Sequence, residues 1–515
     1  MAKIRRSKLA DALERTMNIA PKHMLKSASL SRADREILMK SGYLRGICKG
    51  WYLLSKPTEK LGESTAWYAS FWDFLSVYLD DRFGTDYCLS APSSIDAHTG
   101  ANIIPTQVIV LTAHGGKMIL ELPHKTSVLV YQDAGNIPDI VEVVNGARVM
   151  PLALALCRVS PSFFESQPLN AEIAVRAVKS VDDLARVFLE MYSPTLADRL
   201  AGAYLFLGDN ERANQIISAA EAAGMRCRPK NPFAKPTPIL NGPTRLSSPY
   251  VGRIQALFKT LREPVMDVFK DMPAKPVADP EEYLQKVDSV YEQDAYNSLS
   301  IEGYRVTPEL IAKIRSGNWN PDGNLADKEQ KDAMAAKGYL TAFQLAHKSV
   351  RRVLKGESAG SVARKDYQGW YRGLFSETVK AGLLQPADLA GHRNSPVYIR
   401  TSRHVPLPYT AVSDVMTALF DLLETEEHAI VRAVLGHWLF GFIHPYNDGN
   451  GRVARFLMNV MMASGGYPWT IVRLTRRAEY LAALEAASVE QNIVPFANFI
   501  REEMIIDWSM ESPKT

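Results

Sequence analysis

The spacing of apolar positions divides the chain into stretches of different period. Near the start, Ser29 or Ser31 stands as a cap before a helical stretch running through Met39, and Ser41-Gly42 breaks it. Residues 43–46 and 49–54 then read as two short strands about a turn. Residues 106–112, 117–122, 126–131 and 140–144 are β-branched and separated by Gly, Pro and Asn, which predicts strands. Over 170–226 the period becomes helical: Ala174, Ala177, Val178 and Val181 share one face, followed by Leu184, Val187, Phe188 and Met191. A Pro-rich stretch from Arg228 through Pro249 reads as a linker or covering arm. Beyond it the pattern is almost wholly helical, with no internal repeat. The division this predicts is 1–60, 61–227, a linker over 228–278, and 279–515.

Length and composition agree with several cores. The 515 residues are 46% apolar and 23% charged, which excludes disorder as the dominant state. Cys48, Cys88, Cys157 and Cys227 stand far apart with no C-x-x-C pair, so neither a zinc site nor a disulfide framework is expected. The basic N-terminus lacks an apolar core and is not read as a secretory signal, and no apolar run reaches ~18 residues. The expectation is a cytoplasmic protein that does not enter a membrane.

Net charge is +4, which taken whole argues against a nucleic-acid partner. The distribution changes that picture. The first 60 residues carry 14 Lys or Arg against five Asp or Glu, a net +9, leaving −5 for the rest. Short helices followed by a basic hairpin are how a winged helix-turn-helix reads, with DNA as its candidate partner through residues 1–60; a solvated basic face is the alternative. The N-terminal half, through LRGICKGWYLL, YCLSAPSSIDAHTGANIIPTQVIVLTA and RLAGAYLFLGDNERANQII, resembles the AbiEi-type antitoxins. That resemblance implies a DNA-binding wing and supplies no catalytic residue.

The chemistry lies in residues 444–455, His-Pro-Tyr-Asn-Asp-Gly-Asn-Gly-Arg-Val-Ala-Arg. A core helix marked by Val431, Val434, Leu435, Trp438, Leu439 and Phe442 runs up to Ile443, where Pro445 ends it. A second helix runs from Arg452 to Ser464. The glycine-bearing loop between them leads into a helix N-terminus, where backbone N–H groups and the helix dipole favour an anion. Arg452 and Arg455 share a face of its first turn, and two guanidinium forks beside such a nest suit a polyphosphate. Asp448 is a hard oxygen ligand suited to Mg²⁺, and His444 can take a proton from a hydroxyl. Base, metal carboxylate and anion nest together describe phosphoryl or nucleotidyl transfer.

The same twelve residues match the motif His-Pro-[Phe/Tyr]-x-[Asp/Glu]-Gly-Asn-Gly-Arg-x-x-Arg, and the segment from about 280 to 505 resembles the Fic (Fido) family of protein adenylyltransferases. The implied fold is multidomain: a mainly α C-terminal Fic fold and an α/β N-terminal half including the winged helix-turn-helix. The resemblance implies His444 as general base, Asp448 as the Mg²⁺ ligand, and Gly449, Asn450 and Gly451 as the phosphate nest. Arg452 would take the β-phosphate side and Arg455 the γ-phosphate. Tyr446 replaces the usual Phe, and its hydroxyl needs a partner. Tyr480, in the Tyr-x-x-Ala-Leu pattern, would lie near the adenosine, and His437 reads as structural. Residues 394–406 resemble the family's flap hairpin, which can register a target peptide by strand addition.

Upstream, Asp279-Pro280-Glu281-Glu282 is a helix start, with the helix expected to run unbroken to Gly303. It ends in Ser298-Leu299-Ser300-Ile301-Glu302-Gly303, which resembles the family's inhibitory Ser-x-x-x-Glu-Gly signature. Ser298, Glu302 and Gly303 are therefore the implied inhibitory residues, with Glu302 pairing Arg455 in place of the γ-phosphate. The implied function is an auto-inhibited adenylyltransferase that moves AMP from Mg²⁺-ATP to a Ser, Thr or Tyr hydroxyl of a target protein docked at the flap. Two alternatives stay open: removal of AMP by the same site, and a DNA-binding, antitoxin-like regulator whose Fic half senses nucleotide. Target, DNA sequence and oligomeric state are not readable from the residues.

Overall fold

Ser31 caps a helix by accepting from the Asp34 backbone N–H, as its sequence position requires. The computed structural model describes residues 8–55, 65–101, 103–144, 146–234, 237–240, 248–317 and 331–506. Residues 1–7 and 56–60 of the expected DNA-binding block, 235–236 and 241–247 of the Pro-rich stretch, and 507–515 lie outside the described residues. The chain divides into two compact units: residues up to Arg253 together with Tyr398–Val405, and Ile254–Val397 together with the chain from Pro406 onward.

The first unit begins with α1 (Lys8–Ile19), β1 (Met24–Lys26), α2 (Arg32–Lys40), β2 (Leu44–Cys48) and β3 (Trp51–Leu54). The strands form an antiparallel sheet in the order β1–β3–β2, so the expected hairpin gains a third strand that no periodicity announced. Ala12, Leu25, Leu38 and Leu44 make its small core, and Arg15 bonds Asp34 across the two helices. Next, α3 (Thr65–Phe83) lays Phe71 and Phe74 beside a mixed four-stranded sheet. Its strands are β4 (Tyr87–Leu89), β5 (Gln107–Thr112), β6 (Met118–Leu122) and β7 (Thr126–Gln132), in the order β4–β5–β7–β6, with β5 and β7 parallel. The alternation of Val108, Val110, Val128 and Val130 turns those side chains into the core. The expected strand over 140–144 is shorter, β8 (Glu142–Val144), and pairs with β9 (Ala147–Val149) outside that sheet. Helices α4 (Ala91–His98), α5 (Leu152–Arg158), α6 (Ser162–Ser166), α7 (Pro168–Ala177), α8 (Val181–Glu190), α9 (Pro194–Phe206) and α10 (Asn210–Ala222) pack around a separate core that includes Leu184, Phe188, Leu200 and Tyr204.

The stretch expected as a linker carries α11 (Pro249–Val268), a 20-residue helix with Pro264 inside it. Its apolar Ile254, Leu257, Phe258, Leu261 and Val265 are buried, a helical face among the prolines on either side.

The second unit is helical: α12 (Pro280–Ser289), α13 (Tyr291–Ile301), α14 (Pro308–Arg315), α15 (Lys331–Leu354), α16 (Ala359–Lys380), α17 (Val412–Thr425), α18 (Ala429–Ile443), α19 (Asn450–Ala463), α20 (Arg477–Val489) and α21 (Val494–Met504). Asp279 caps α12 through the N–H groups of Glu281 and Glu282. The helix expected to run unbroken to Gly303 is interrupted at Val290 (φ −96°, ψ 4°), where the Ser289 hydroxyl turns back onto the Lys286 carbonyl. No described helix is long and apolar enough to cross a membrane.

The core of this unit is α18 and α19, buried almost all round. Asn459 of α19 holds the returning chain: its amide donates to the Thr470 carbonyl (3.0 Å) and accepts from the Thr470 N–H (2.7 Å). Removing that side chain strands a buried donor and acceptor. Asn459→Ala is expected to cost about 1–3 kcal/mol, read as a lower urea midpoint of this unit. An unchanged midpoint would show the return segment is held by its apolar contacts alone.

Candidate active site

Helix α18 ends at Ile443, and His444 takes a left-handed conformation (φ 55°, ψ 61°) that turns the chain into the loop. Such a backbone costs energy outside glycine and is held by its surroundings. Arg393 supplies the hold: its Nε donates to the His444 carbonyl (2.8 Å), its backbone N–H to the Pro445 carbonyl (2.9 Å), and its Nη2 to the Leu407 carbonyl (2.5 Å). The His444 Nδ1–H donates to the Gly441 carbonyl at 3.2 Å, a tautomer assigned from the hydrogen-bond network, which leaves Nε2 as the basic nitrogen. Desolvation pushes the imidazole down to about 4, the Gly441 bond opposing it, so the ring is neutral at physiological pH.

The loop beyond is shaped by Asn450. Its side chain accepts from the Tyr446 N–H (2.9 Å) and donates to the Tyr446 carbonyl (2.8 Å). The residue expected in the nest thus spends its side chain on the loop and leaves only its backbone N–H to an anion. Gly449 (φ 85°) both needs the left-handed region and lies against Phe375, whose ring edge would sit 2.9 Å from an added Cβ. The Tyr446 ring stacks on Tyr371 at 3.6 Å and 4°, as an apolar position should, but its hydroxyl finds no partner among the described residues.

Both arginines of α19 are buried. Arg455 donates from Nε to the Ser298 hydroxyl (2.7 Å) and from Nη2 to the Ser298 carbonyl (3.1 Å) and Glu302 Oε1 (2.7 Å). Burial alone would lower the guanidinium's pKa, but the Glu302 carboxylate reverses the sign and keeps it charged. Gly451 makes room for that carboxylate: an added Cβ would lie 2.3 Å from Glu302 Oε1. Gly303 (φ 91°) then turns the chain away from the end of α13. Arg452 donates from Nη2 to Asp448 Oδ1 (3.0 Å), and that oxygen also accepts from the Gly449 N–H (2.6 Å). Tyr480 is buried, its hydroxyl 2.7 Å from His437 Nε2; desolvation and then Arg455 hold His437 down at about 3, neutral.

The Asp448 side chain is 59% exposed. Among the described residues no group of three or more His, Cys, Asp or Glu could hold a metal alone. One exposed carboxylate beside an anion nest nonetheless fits Mg²⁺, which takes one or two carboxylates and completes its shell with water and substrate phosphates.

Helix α13 is pinned along its length. Tyr339 donates to Asp294 (2.8 Å), the Leu474 N–H donates to Asn297 Oδ1 (2.8 Å), and Arg477 Nε donates to the Ile301 carbonyl (2.8 Å). Burial lifts the Asp294 carboxyl to about 6. Arg393, Asp294 and Tyr339 escaped the sequence reading, since each acts on a partner tens of residues away and no short motif encodes it.

Residues 394–406 do not form the expected hairpin. The chain turns at Arg400 and Thr401 (φ 61°), where the Ser402 N–H donates to the Ile399 carbonyl (3.1 Å), and its return limb bridges Ile103 through His404. The Ile104 N–H donates to the Arg403 carbonyl (2.9 Å), and Arg403 Nη2 donates to the Ile104 carbonyl (2.8 Å). Backbone groups of residues 403 and 404 thus find partners at residues 103 and 104, an isolated bridge outside the strands.

A neutral histidine, an anion nest at a helix N-terminus and two buried arginines define a site suited to binding a polyphosphate and moving a proton beside it. Residues 362–462, which hold that loop and α19, match the Fic/DOC family, so the chain carries a Fic/DOC domain. Relatives include the protein adenylyltransferase Fic of Nematostella vectensis, 34% identical over 223 residues, covering 42% of this chain and 47% of the relative. That of Drosophila willistoni is 28% identical over 216 residues, covering 41% and 40%. The chain thus spans less than half the length of these curated relatives. Among solved structures, Fic-1 of C. elegans is 18% identical, with a TM-score of 0.36, covering 66% of this chain and 96% of that one.

The neutral His444 ring is directly measurable. Its resonances should titrate near pH 4 rather than near 6.5 in an NMR pH series assigned with His444→Gln. A midpoint at or above 6.5 would mean the ring is solvated and charged near neutrality.

Proposed function

We propose that the chain is an auto-inhibited protein adenylyltransferase that transfers AMP from ATP to a side-chain hydroxyl of a target protein. The observation that carries this reading is the Glu302–Arg455 ion pair closing the end of a nest that begins at His444. The names of the relatives, protein adenylyltransferase Fic, favour AMP as the group transferred.

The neutral His444 Nε2 accepts the proton of the incoming hydroxyl, whose oxygen attacks the α-phosphorus in line as pyrophosphate leaves. Backbone N–H groups of Asn450 and Gly451 bind phosphate oxygens at the α19 N-terminus, and that of Gly449 joins them once it leaves Asp448 Oδ1. Arg452 holds the β-phosphate and Arg455 the γ-phosphate. Asp448 would hold Mg²⁺, which neutralises charge on the phosphates. Tyr480 borders the nucleoside. In the resting protein Glu302, fixed with Ser298 on α13, takes the γ-phosphate's place, so ATP binds with its α-phosphate turned from attack. Residues 394–406 are the proposed docking segment for the target; strand addition at 403–404 requires the pairing with Ile103 and Ile104 to open.

A second proposal concerns the N-terminal unit, which we read as a DNA-binding module. Helix α2 carries exposed Arg32 and Lys40, and the β2–β3 hairpin carries Arg45 and exposed Lys49, a basic helix and wing of the kind that reads a groove and its backbone. Replacing Arg32, Arg45 and Lys49 by Ala should weaken duplex binding several-fold and flatten its salt dependence by about three ions. Unaltered binding, or none in the parent, would overturn this module.

For the enzyme, Glu302→Gly should label itself or a lysate protein from α-³²P-ATP at least about tenfold faster than the parent, since the buried Arg455 fork then takes phosphate. Adding His444→Ala should cut that labelling by about 10²–10⁴. Equal rates in the parent and Glu302→Gly would refute inhibition by Glu302. Full activity without the imidazole would refute His444 as base.

A further inference from the structure

Arg452 is fully buried, yet its Nε and Nη1 have no hydrogen-bond partner among the described residues, while its Nη2 donates to Asp448 Oδ1. What stands against the guanidinium is aromatic. Its Cζ lies 5.1 Å from the Tyr304 ring centroid and 5.2 Å from that of Phe375. Phe375 belongs to the fixed frame, on α16 beneath Gly449. Tyr304 belongs to the inhibitory segment: it follows Glu302 and Gly303 directly, and its backbone N–H closes the end of α13 on the Leu299 carbonyl at 3.2 Å.

Resting on the phosphate nest proposed above, we infer that Tyr304 is a positioning residue for the β-phosphate, its ring holding the Arg452 fork so that Nε and Nη1 stay available to phosphate oxygens. A buried guanidinium gains from an aromatic face because little water competes for it. The ring face itself takes no donor, being no ordinary hydrogen-bond acceptor, although the Tyr304 hydroxyl also interacts with the guanidinium. Without the ring, the nearest competing partner is the exposed carboxylate of Asp448, already bonded to Nη2. A fork swung flat onto Asp448 would spend two donors there and draw the carboxylate away from its metal-binding pose.

One short segment therefore treats the two arginines oppositely. Glu302 occupies Arg455 with charge, and Tyr304 prepares Arg452 with a ring. The resting protein keeps a working β-phosphate contact while its γ-phosphate contact is closed. Tyr304 does not touch the reacting atoms, so its effect belongs in nucleotide affinity and not in the proton transfer at His444.

The test compares AMP with ADP by calorimetry in the full chain with Mg²⁺ present, for the parent, Tyr304→Leu and Tyr304→Phe. Tyr304→Leu should weaken ADP about tenfold and AMP by less than about twofold, and Tyr304→Phe should restore ADP, as a ring-face contact requires. Equal loss of AMP and ADP in Tyr304→Leu would make the residue merely structural and overturn the inference. So would undiminished ADP affinity, or a Phe variant as weak as Leu. A parent that binds ADP no more tightly than AMP contradicts the nest itself, and that failure is separable because it precedes any substitution.

Discussion

A carboxylate seated on a buried guanidinium governs this site. Arg455 lies within the α19 helix with almost no exposed surface, and Glu302, 27% exposed, reaches it from the end of α13. Removing Glu302 leaves the buried Arg455 charge without its carboxylate, which costs about 3–5 kcal/mol when nothing replaces it. Here a replacement has the right shape. On the proposed reading a phosphate oxygen takes the same Nη2 donor that Glu302 Oε1 holds, so the pair is open to exchange. The bare Cα of Gly451 is the steric condition for either occupant, since a methyl there would overlap the carboxylate.

The neighbouring contacts fix the geometry between Arg455 and His444. Helix α13 is held by Tyr339, Leu474 and Arg477, which fixes the backbone that carries Glu302. On the opposite side, Arg393 clamps the carbonyls of a strained turn at His444, and Asn450 braces the loop against Tyr446. On the proposed reading, exchange of the Glu302 carboxylate for a phosphate on Arg455 is what separates an inhibited from an active state.

How much of this could be read from the chain depends on sequence distance. The arrangement of residues 444–455 was legible because the histidine, the glycine loop and both arginines fall within one loop and one helical turn. The α18 and α19 limits followed from their apolar periods, and the caps at Ser31 and Asp279 from local chemistry. Glu302 was legible only through a family resemblance, for nothing at position 302 itself speaks of Arg455. Arg393, Tyr304 and Phe375 were invisible, since each acts through space on a partner far along the chain. The unbroken helix over 279–303 failed because periodicity does not register a hydroxyl turning back at Ser289. The hairpin over 394–406 failed because its return limb pairs with residues 103 and 104, some three hundred positions away. Pro content concealed α11, whose apolar face outweighed it. Part of the basic excess of the first 60 residues stands exposed as Arg32 and Lys40 on α2 and Lys49 on the adjoining hairpin, which the near-neutral total had hidden.

The most direct measurement of the central claim is a thermodynamic cycle between Glu302 and the γ-phosphate: the ratio of ATP to ADP affinity in the parent and in Glu302→Gly. If the carboxylate occupies the γ-phosphate's place on Arg455, the parent binds ATP no more tightly than ADP. Glu302→Gly then gains about tenfold or more for ATP while its ADP affinity stays level, as expected of a freed, buried arginine fork. The same ATP to ADP ratio in both proteins would contradict the claim, for it would mean that Glu302 and the γ-phosphate do not share a site.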